Sequence, residues 1–291
     1  MECGLCRAPP ELNGRAVARN AAGMAPEYGR ARWDHSMDVY WLEQTEADVP
    51  EENDWLSRNE VIFLERLRIA RRRVQWRLGR WTAKRAVAAC LDSAARPPEL
   101  AKIAIWPSPS GAPQVYREGE PGALTISISH REQRAICAVA RPGAELGCDL
   151  ERIEPHSDAF IADYFTSEER ALVARHSAAE QPRILALLWS GKESALKALG
   201  AGLRLDTRSV VVDLVDAPAS VNEWNPFQVS CVGDKVFQGW WQQADGMVRT
   251  VVAAPPPAPP ILLEIAADAF GRAHSNPGAA LENCSSAISH S

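Results

Sequence analysis

The chain has 291 residues, of which 46% are hydrophobic and 24% charged, as in ordinary globular proteins of one large or two small domains. The net charge of −5 argues against binding nucleic acid through overall charge, and no apolar stretch reaches the roughly 18 residues that cross a membrane. Seven scattered cysteines in a long chain predict no disulfide framework and a cytoplasmic location.

The two ends of the chain differ in composition from the middle. Residues 1–36 mix Gly, Ala, Arg and Pro without hydrophobic periodicity, so we predict a disordered N-terminal extension. Residues 255–291 open with a proline-rich run that can hold neither a helix nor a strand ladder, and we predict a disordered tail, with one weak helix at Ile261–Phe270.

The first half of the folded region is residues 37–145. It opens with a predicted strand at Asp38–Glu43, followed by a long basic helical region at Asp54–Leu91 with Asp54 as its N-cap. Four further strands are then predicted from alternating apolar residues: Ala101–Trp106, Gln114–Tyr116, Leu124–Ser129 and Arg134–Ala140.

The second half, residues 146–254, repeats this order of a strand, then helices, then antiparallel strands. The predicted elements are a strand at Leu146–Ile153, helices at Asp158–Tyr164, Ser167–His176 and Pro182–Leu199, and strands at Ser209–Val215, Phe227–Val232, Phe237–Gln242 and Met247–Ala253. The repeated order predicts an α+β fold of two duplicated halves, each a mainly antiparallel sheet packed with a long helix, with a cleft between them.

A pair of carboxylates marks the first strand of the second half. Period-2 alternation places Gly147, Asp149 and Glu151 on one face and Leu150 on the other, which we expect to face the core. Asp149 and Glu151 could share one hard cation, and Gly147 would leave room for a ligand to approach the backbone. A solvent-facing acidic pair is the alternative interpretation of the same pattern.

Two other groups of polar side chains are candidates: the first could offer a carboxylate to a metal and two ammonium groups to phosphates, and the second could donate to a phosphate. Glu193 and Lys197 share a helix face at spacing i, i+4, with Lys192 about 100° round the helix, although a solvated face with one ion pair has the same pattern. Ser129 and His130 end an alternating strand on which Ile126 and Ile128 face the opposite way to Ser129; His130 is either structural or a phosphate donor.

Taken together and in order, these segments resemble the Sfp-type 4′-phosphopantetheinyl transferases over roughly residues 38–253. The motifs are Gly79-Arg-Trp-Thr-Ala-Lys84, Ser127-Ile-Ser-His130, Gly147-Cys-Asp-Leu-Glu-Arg-Ile153, Tyr164-Phe-Thr-Ser-Glu-Glu169 and Leu188-Trp-Ser-Gly-Lys-Glu-Ser-Ala-Leu-Lys197. The resemblance implies a monomer of two similar halves that moves the phosphopantetheine arm of coenzyme A onto a serine of an acyl or peptidyl carrier protein, with Mg²⁺, releasing 3′,5′-ADP.

The resemblance also implies roles for individual residues. Asp149, Glu151 and Glu193 would surround Mg²⁺. Coenzyme A would be bound by Arg73, Arg80, Lys84, Ser129, His130, Lys192 and Lys197. Glu193 is the candidate base for the serine proton, with Asp149 second, and Lys192 would stabilise charge at the diphosphate. The carrier protein would dock near Phe160, Tyr164 and Phe165, beside Arg170 and Arg175.

One departure from the family pattern and two rival functions stay open. The family commonly has Gly-Lys-Pro where this chain reads Gly111-Ala112-Pro113, so a phosphate-binding lysine is absent there and an arginine elsewhere is its replacement. A Mg²⁺-dependent phosphotransferase that uses nucleoside triphosphates is disfavoured because the chain has no P-loop or kinase motif. A catalytically inactive module that only binds coenzyme A or a carrier protein is disfavoured, because such a module would not need the three carboxylates Asp149, Glu151 and Glu193.

Overall fold

The computed structural model describes residues 37–91, 96–201, 204–214 and 222–265. The predicted extension at residues 1–36 lies outside the described residues, as does the tail beyond residue 265. The α+β fold is confirmed: two antiparallel-rich sheets, of six and five strands, are each packed with a long helix. Among the described residues, no helix is both long and apolar enough to span a bilayer.

Within the described ranges, the first half contains five of the eleven strands and three α-helices. They are β1 (Tyr40–Thr45), α1 (Arg58–Arg66), α2 (Ala70–Cys90), α3 (Pro97–Leu100), β2 (Ile103–Pro107), β3 (Pro113–Arg117), β4 (Glu120–Arg131) and β5 (Arg134–Ala140).

The single long helical region predicted here is wrong in two respects. The first helix begins after Ser57, whose side chain forms a capping box with Glu60, so Asp54 is not its cap. The chain then leaves the helical conformation at residues 67–69, where the ψ angles of Leu67 and Ile69 are 108° and 118°. The break lets α1 turn back, so that Glu60 reaches Lys84 of α2.

The second half and the segment after it carry the remaining elements, which lie close to where they were predicted, except for the last strand, which was not predicted. They are β6 (Glu145–Arg152), α4 (Asp158–Tyr164), α5 (Ser167–Ala174), α6 (Gln181–Ala198), β7 (Val210–Leu214), β8 (Asn225–Cys231), β9 (Lys235–Ala244), β10 (Met247–Ala254) and β11 (Ile261–Leu262).

The two sheets have the same strand order, as the predicted duplication requires. The first sheet runs β11-β1-β5-β4-β3-β2 and the second runs β6-β10-β9-β8-β7. Apart from β11, each sheet therefore places the first strand of its half beside the last strand, followed by the others in reverse order. The strand that carries the candidate carboxylates, β6, is the edge strand of its sheet.

The start of the predicted disordered tail is ordered instead. β11 pairs parallel with β1, and the amides of Ile261 and Leu263 donate to the carbonyls of Val39 and Trp41 at 2.9 Å each. The helix predicted from Ile261 is therefore wrong at its start. Prolines just before this apolar segment favour extended backbone, and the open edge of β1 supplies its hydrogen-bond partners.

An apolar core joins the two halves and fixes the orientation of β6. Leu146, Cys148 and Leu150 of β6 are buried in one cluster with Ile136 and Ala138 of β5. Successive side chains of a strand point to opposite faces, so the residues between them, Gly147, Asp149 and Glu151, face the other way.

Candidate active site

The floor of the candidate site is the contact between β6 and α6. A Cβ atom added to Gly147 would lie 1.8 Å from the backbone oxygen of Ser194. The space beside Gly147 is therefore filled by the helix, and the predicted role for this glycine, leaving room for a ligand, is wrong. Its role is close packing of helix on strand, which brings the α6 side chains next to Asp149 and Glu151.

Asp149 is the centre of the polar network. Ser129 Oγ and Lys197 Nζ each donate to its Oδ1 atom at 2.7 Å. Its Oδ2 atom is buried and has no hydrogen-bond partner among the described residues. A buried carboxylate oxygen without a partner costs free energy of about 1–3 kcal/mol or more, so it marks a position where a cation or donor would be stabilised.

The other two predicted metal ligands are close enough to interact electrostatically with Asp149. Burial and then the charge of Asp149 raise the pKa of Glu151 to about 7, although Arg131, with Nε 3.4 Å from Glu151 Oε2, opposes that shift. Burial and the charge of Asp149 also raise the pKa of Glu193. The structure therefore brings the three carboxylates close enough to repel one another electrostatically.

Lys197 partly neutralises this region from α6. Its Nζ donates to the Cys148 carbonyl at 3.0 Å as well as to Asp149. Burial disfavours the ammonium form, but the neighbouring Asp149, Cys148 and Glu193 outweigh it and raise the pKa of Lys197. Lys197 thus stays charged beside the carboxylates, about a quarter of its side chain exposed at 27%.

The donor set fits Mg²⁺ with few protein ligands. Within the described ranges, no group of three or more His, Cys, Asp or Glu side chains is arranged as a ready metal site. Mg²⁺, however, usually keeps several waters and takes one or two carboxylates together with substrate phosphate oxygens. The partnerless Asp149 oxygen and the raised pKa values of Glu151 and Glu193 suit such an open site.

Two of the predicted phosphate-binding lysines are elsewhere. Lys192 is fully buried and points away from the carboxylates, donating to the Thr207 and Val210 carbonyls and to Glu169 Oε2 at 2.8 Å. An ammonium has three donors, so Lys192 has none left for a phosphate. The structure therefore does not bring the predicted catalytic Lys192 to the site.

Lys84 is placed in the same way in the first half. Its Nζ is buried and donates to the carbonyls of Trp55 and Leu100 and to Glu60 Oε2 at 2.6 Å. Burial lowers the pKa of Lys84, and the Glu60 carboxylate partly offsets that effect. Its predicted contact with coenzyme A is not available in this arrangement.

Of three other predicted coenzyme A residues, Arg73 and His130 are exposed and Arg80 is half-buried. Arg73 is exposed on the first turn of α2, and the guanidinium of Arg80 lies 5.1 Å from the centre of the Trp76 ring. His130 reaches solvent at the end of β4. Partial burial and the charge of Lys197 lower its pKa, so it lies near the carboxylate region.

A group of aromatic rings lies between α4 and α6. Trp189 of α6 packs edge-on against Phe160 and Tyr164, each with ring centres 5.1 Å apart, and His156 stacks on Phe160. Of the three aromatic residues predicted to dock a carrier protein, Phe160 and Tyr164 are half-buried. Phe165 is 1% exposed and lies in the core, so it is not a surface residue.

Among the described residues, two that form ion pairs in or behind the site were not predicted. Arg131, directly after the Ser-His motif, forms ion pairs with Glu151 and Glu154, and its position in sequence could have marked it. Glu169 pairs with Lys192 and caps α5 with Thr166; the spacing Thr166-x-x-Glu169 is a capping-box signal. The pairing of Glu169 with Lys192, which is distant in sequence, could not have been found from any local sequence pattern.

Comparison with known proteins agrees with the motifs. Residues 145–242 match the model of the 4′-phosphopantetheinyl transferase superfamily. The predicted resemblance is confirmed. The match covers β6, the helices α4–α6 and the strands to β9, which together hold all three candidate carboxylates.

A curated relative extends the similarity beyond the family model. The chain is 26% identical over 135 residues, 43% of its length, to the 4′-phosphopantetheinyl transferase gsp of Aneurinibacillus migulanus. The chain spans about half of that relative, 55% of its length.

Proposed function

We propose that this protein transfers the 4′-phosphopantetheine arm of coenzyme A to a serine of an acyl or peptidyl carrier protein, releasing 3′,5′-ADP. The observation that carries the proposal is the Asp149 carboxylate, held by Ser129 and Lys197 on one oxygen and partnerless on its other, buried oxygen. The similarity of residues 145–242 to the transferase superfamily supports the same reaction class.

In this proposal Asp149, Glu151 and Glu193 would hold Mg²⁺. When bound, Mg²⁺ supplies Lewis-acid polarisation of the phosphoryl oxygens. Lys197 keeps a positive charge within the carboxylate region and limits repulsion between the protein and the incoming diphosphate. Ser129 holds the Asp149 carboxylate in place through its 2.7 Å hydrogen bond.

The chemical step is a displacement at the β-phosphorus. The carrier serine Oγ forms a new bond to that phosphorus, and the bond to the oxygen bridging the two phosphates breaks, so 3′,5′-ADP leaves with the electron pair. The serine proton would go to Glu193, a carboxylate that interacts electrostatically with Asp149 at the same site. Asp149 is the second candidate for that role.

The phosphates and nucleotide of coenzyme A would be bound by Arg73, Arg80 and His130 on the first half. Arg204 is the candidate replacement for the absent lysine at Ala112. Its Nη2 donates to the carbonyls of Ser110, at 3.1 Å, and Gly200, so the guanidinium lies beside the Gly111-Ala112 turn. Lys84 and Lys192 have no part in this proposal, because the structure uses their donors internally.

The carrier protein would dock on the surface next to Glu193, where Phe160, Tyr164 and Trp189 are half-buried. Carrier proteins are usually acidic, so the exposed Arg170 and Arg175 would attract them. We expect the reaction in the cytoplasm, with the protein acting as a monomer that needs neither nucleic acid nor membrane.

The test is intact-mass spectrometry of an apo carrier protein incubated with the protein, coenzyme A and Mg²⁺. A mass gain of about 340 Da on the carrier serine supports phosphopantetheine transfer. A gain that needs a nucleoside triphosphate would favour the rival phosphotransferase, and binding without a mass change would favour a silent binding module.

Asp149→Asn should reduce the transfer rate at least about 100-fold, the usual loss when a group that stabilises charge in the transition state is removed. The matched control is Asp234→Asn, the same change at an exposed hairpin residue with φ of 56°, a conformation that Asn tolerates. Near-normal turnover of Asp149→Asn at ordinary Mg²⁺ would contradict the metal assignment.

A further inference from the structure

Each half contains one buried lysine–glutamate ion pair, whose lysine was predicted to bind coenzyme A. Lys84 of α2 pairs with Glu60 at 2.6 Å, and Lys192 of α6 pairs with Glu169 at 2.8 Å. All four side chains are at most 2% exposed. Each lysine lies three residues after a tryptophan of its helix, Trp81 or Trp189.

Each pair is closed by a matching set of hydrogen bonds. Besides the backbone carbonyls that saturate each lysine, the second oxygen of Glu60 accepts from the Ile105 amide at 3.1 Å. The second oxygen of Glu169 accepts from the Val212 amide at 3.3 Å. Each glutamate also belongs to the capping box that starts its helix. In each half, therefore, one buried pair links two helices to the strand that comes second in chain order, β2 in the first half and β7 in the second.

The residue after the lysine is where the two halves differ. In the first half it is Arg85, which is buried next to the Trp81 ring. In the second half it is Glu193, which is half-buried and interacts with Asp149. The buried, ion-paired lysine is therefore followed by a core residue in the first half and by a candidate catalytic residue in the second.

On this basis, and resting on the proposed function, we propose that Glu169 and Lys192 form a positioning pair. They fix the rotation of α6 about its axis and thereby hold Glu193 and Lys197 at Asp149. The pair anchors one side of α6, and the close packing at Gly147 fixes the other side. A displacement of about 1 Å in a reacting group can reduce a rate roughly 100-fold, so such an anchor affects more than stability.

The test compares Glu169→Gln with Glu60→Gln. Both changes neutralise a buried glutamate that pairs with a lysine and caps a helix, but only Glu169 is tied to the candidate site. Three quantities are measured where each variant is folded: the urea midpoint, the affinity for Mn²⁺ alone by electron paramagnetic resonance, and kcat and KM for coenzyme A.

Both variants should lose stability to a similar extent. Glu169→Gln alone should weaken Mn²⁺ binding and lower kcat, each about 10–100-fold, the usual effect of losing a group that orients metal ligands. Its KM for coenzyme A should change less than its kcat. If Glu169→Gln does not fold, the double variant Glu169→Gln/Lys192→Met, which leaves no buried charge unpaired, takes its place.

The outcomes separate this proposal from the proposed function. If the wild-type protein transfers phosphopantetheine but Glu169→Gln matches Glu60→Gln in kcat and Mn²⁺ affinity, the positioning role is refuted and the function stands. If the wild-type protein shows no transfer but Glu169→Gln selectively loses Mn²⁺ affinity, the positioning role stands and the function is refuted. Failure of both Glu169 variants to fold would make the pair purely structural and overturn the positioning role.

Discussion

Replacing Gly147 by alanine tests how the site is assembled. The added Cβ would lie 1.8 Å from the Ser194 carbonyl oxygen and 2.9 Å from the Ala198 amide nitrogen, both backbone atoms of α6. A side-chain end could rotate away from such a contact, but helix backbone cannot. Strand and helix would have to separate by about 1.5 Å to restore ordinary contact distance.

The energetic cost of this separation has two sources. Overpacking in a dense interior costs about 1–3 kcal/mol, occasionally more. The displacement would also strain the hydrogen bonds that Ser190 and Ser194 make to Thr250 Oγ1, 2.8 and 2.6 Å long, at a net cost of about 1 kcal/mol each. We therefore expect Gly147→Ala to lower the free energy of unfolding by roughly 3–5 kcal/mol.

Urea denaturation followed by tryptophan fluorescence would measure this loss. The control is Gly79→Ala in the interior of α2, where the nearest atom to the added Cβ is Ile128 Cγ2 at 3.6 Å. This control should be neutral or stabilising by up to about 1 kcal/mol, because alanine is the better helix former. If Gly147→Ala kept full stability and lost only coenzyme A affinity, Gly147 would border a ligand and the packing argument would be wrong.

Two further predictions concern pH and the C-terminal strand. Because the pKa of Glu151 is raised from its ordinary value of 4.5 to about 7, the protonated form is favoured in the folded state. Without divalent cations, the free energy of unfolding should therefore fall as pH rises from 4.5 through about 7, by at most about 3 kcal/mol from this group. Glu151→Gln should remove that part of the decline; equal slopes in urea titrations of both proteins would contradict the assignment. Ending the chain after Ala254 removes the two β11 amide bonds and the bond from Trp240 Nε1 to the Pro257 carbonyl, and should cost about 2–3 kcal/mol. Ending it after residue 265 retains these bonds and is the control; equal urea midpoints of the two shortened chains would show that β11 contributes nothing.

The elements of the fold were largely predictable because they follow local patterns. Alternation along β6 correctly separated Leu150 from Asp149 and Glu151, since the strand period of two does not depend on the rest of the chain. The break at residues 67–69 was not predictable, because no Pro or Gly marks it. The strand at Ile261–Leu262 was missed because its partner, β1, is distant in sequence, and local propensity does not report such pairing.

In the candidate site, the positions of Asp149, Glu193 and Lys197 were predictable from the sequence, whereas those of Lys84 and Lys192 were not. Asp149, Glu193 and Lys197 carry charges that the core cannot accommodate without partners, so their clustering followed once β6 and α6 were placed together. Helix spacing gave the angle between Lys192 and Glu193 correctly, about 100°. When Glu193 faces Asp149, however, that angle directs Lys192 towards α5 and β7. Whether Lys192 then contacts solvent, a ligand or the protein core depends on the partners that α5 and β7 offer it.

The number of hydrogen-bond donors on an ammonium group shows whether a buried lysine can also bind a ligand. An ammonium has three donors, and burying it is tolerable only when all three are satisfied. Glu169 and the carbonyls of Thr207 and Val210 satisfy all three at Lys192, as Glu60 and the carbonyls of Trp55 and Leu100 do at Lys84. A phosphate could replace these acceptors only if the helix moved and left a buried glutamate unpaired, which costs about 3–5 kcal/mol. In the proposed function, the positive charge that contacts coenzyme A would therefore come from side chains that reach solvent, such as Lys197 and Arg73.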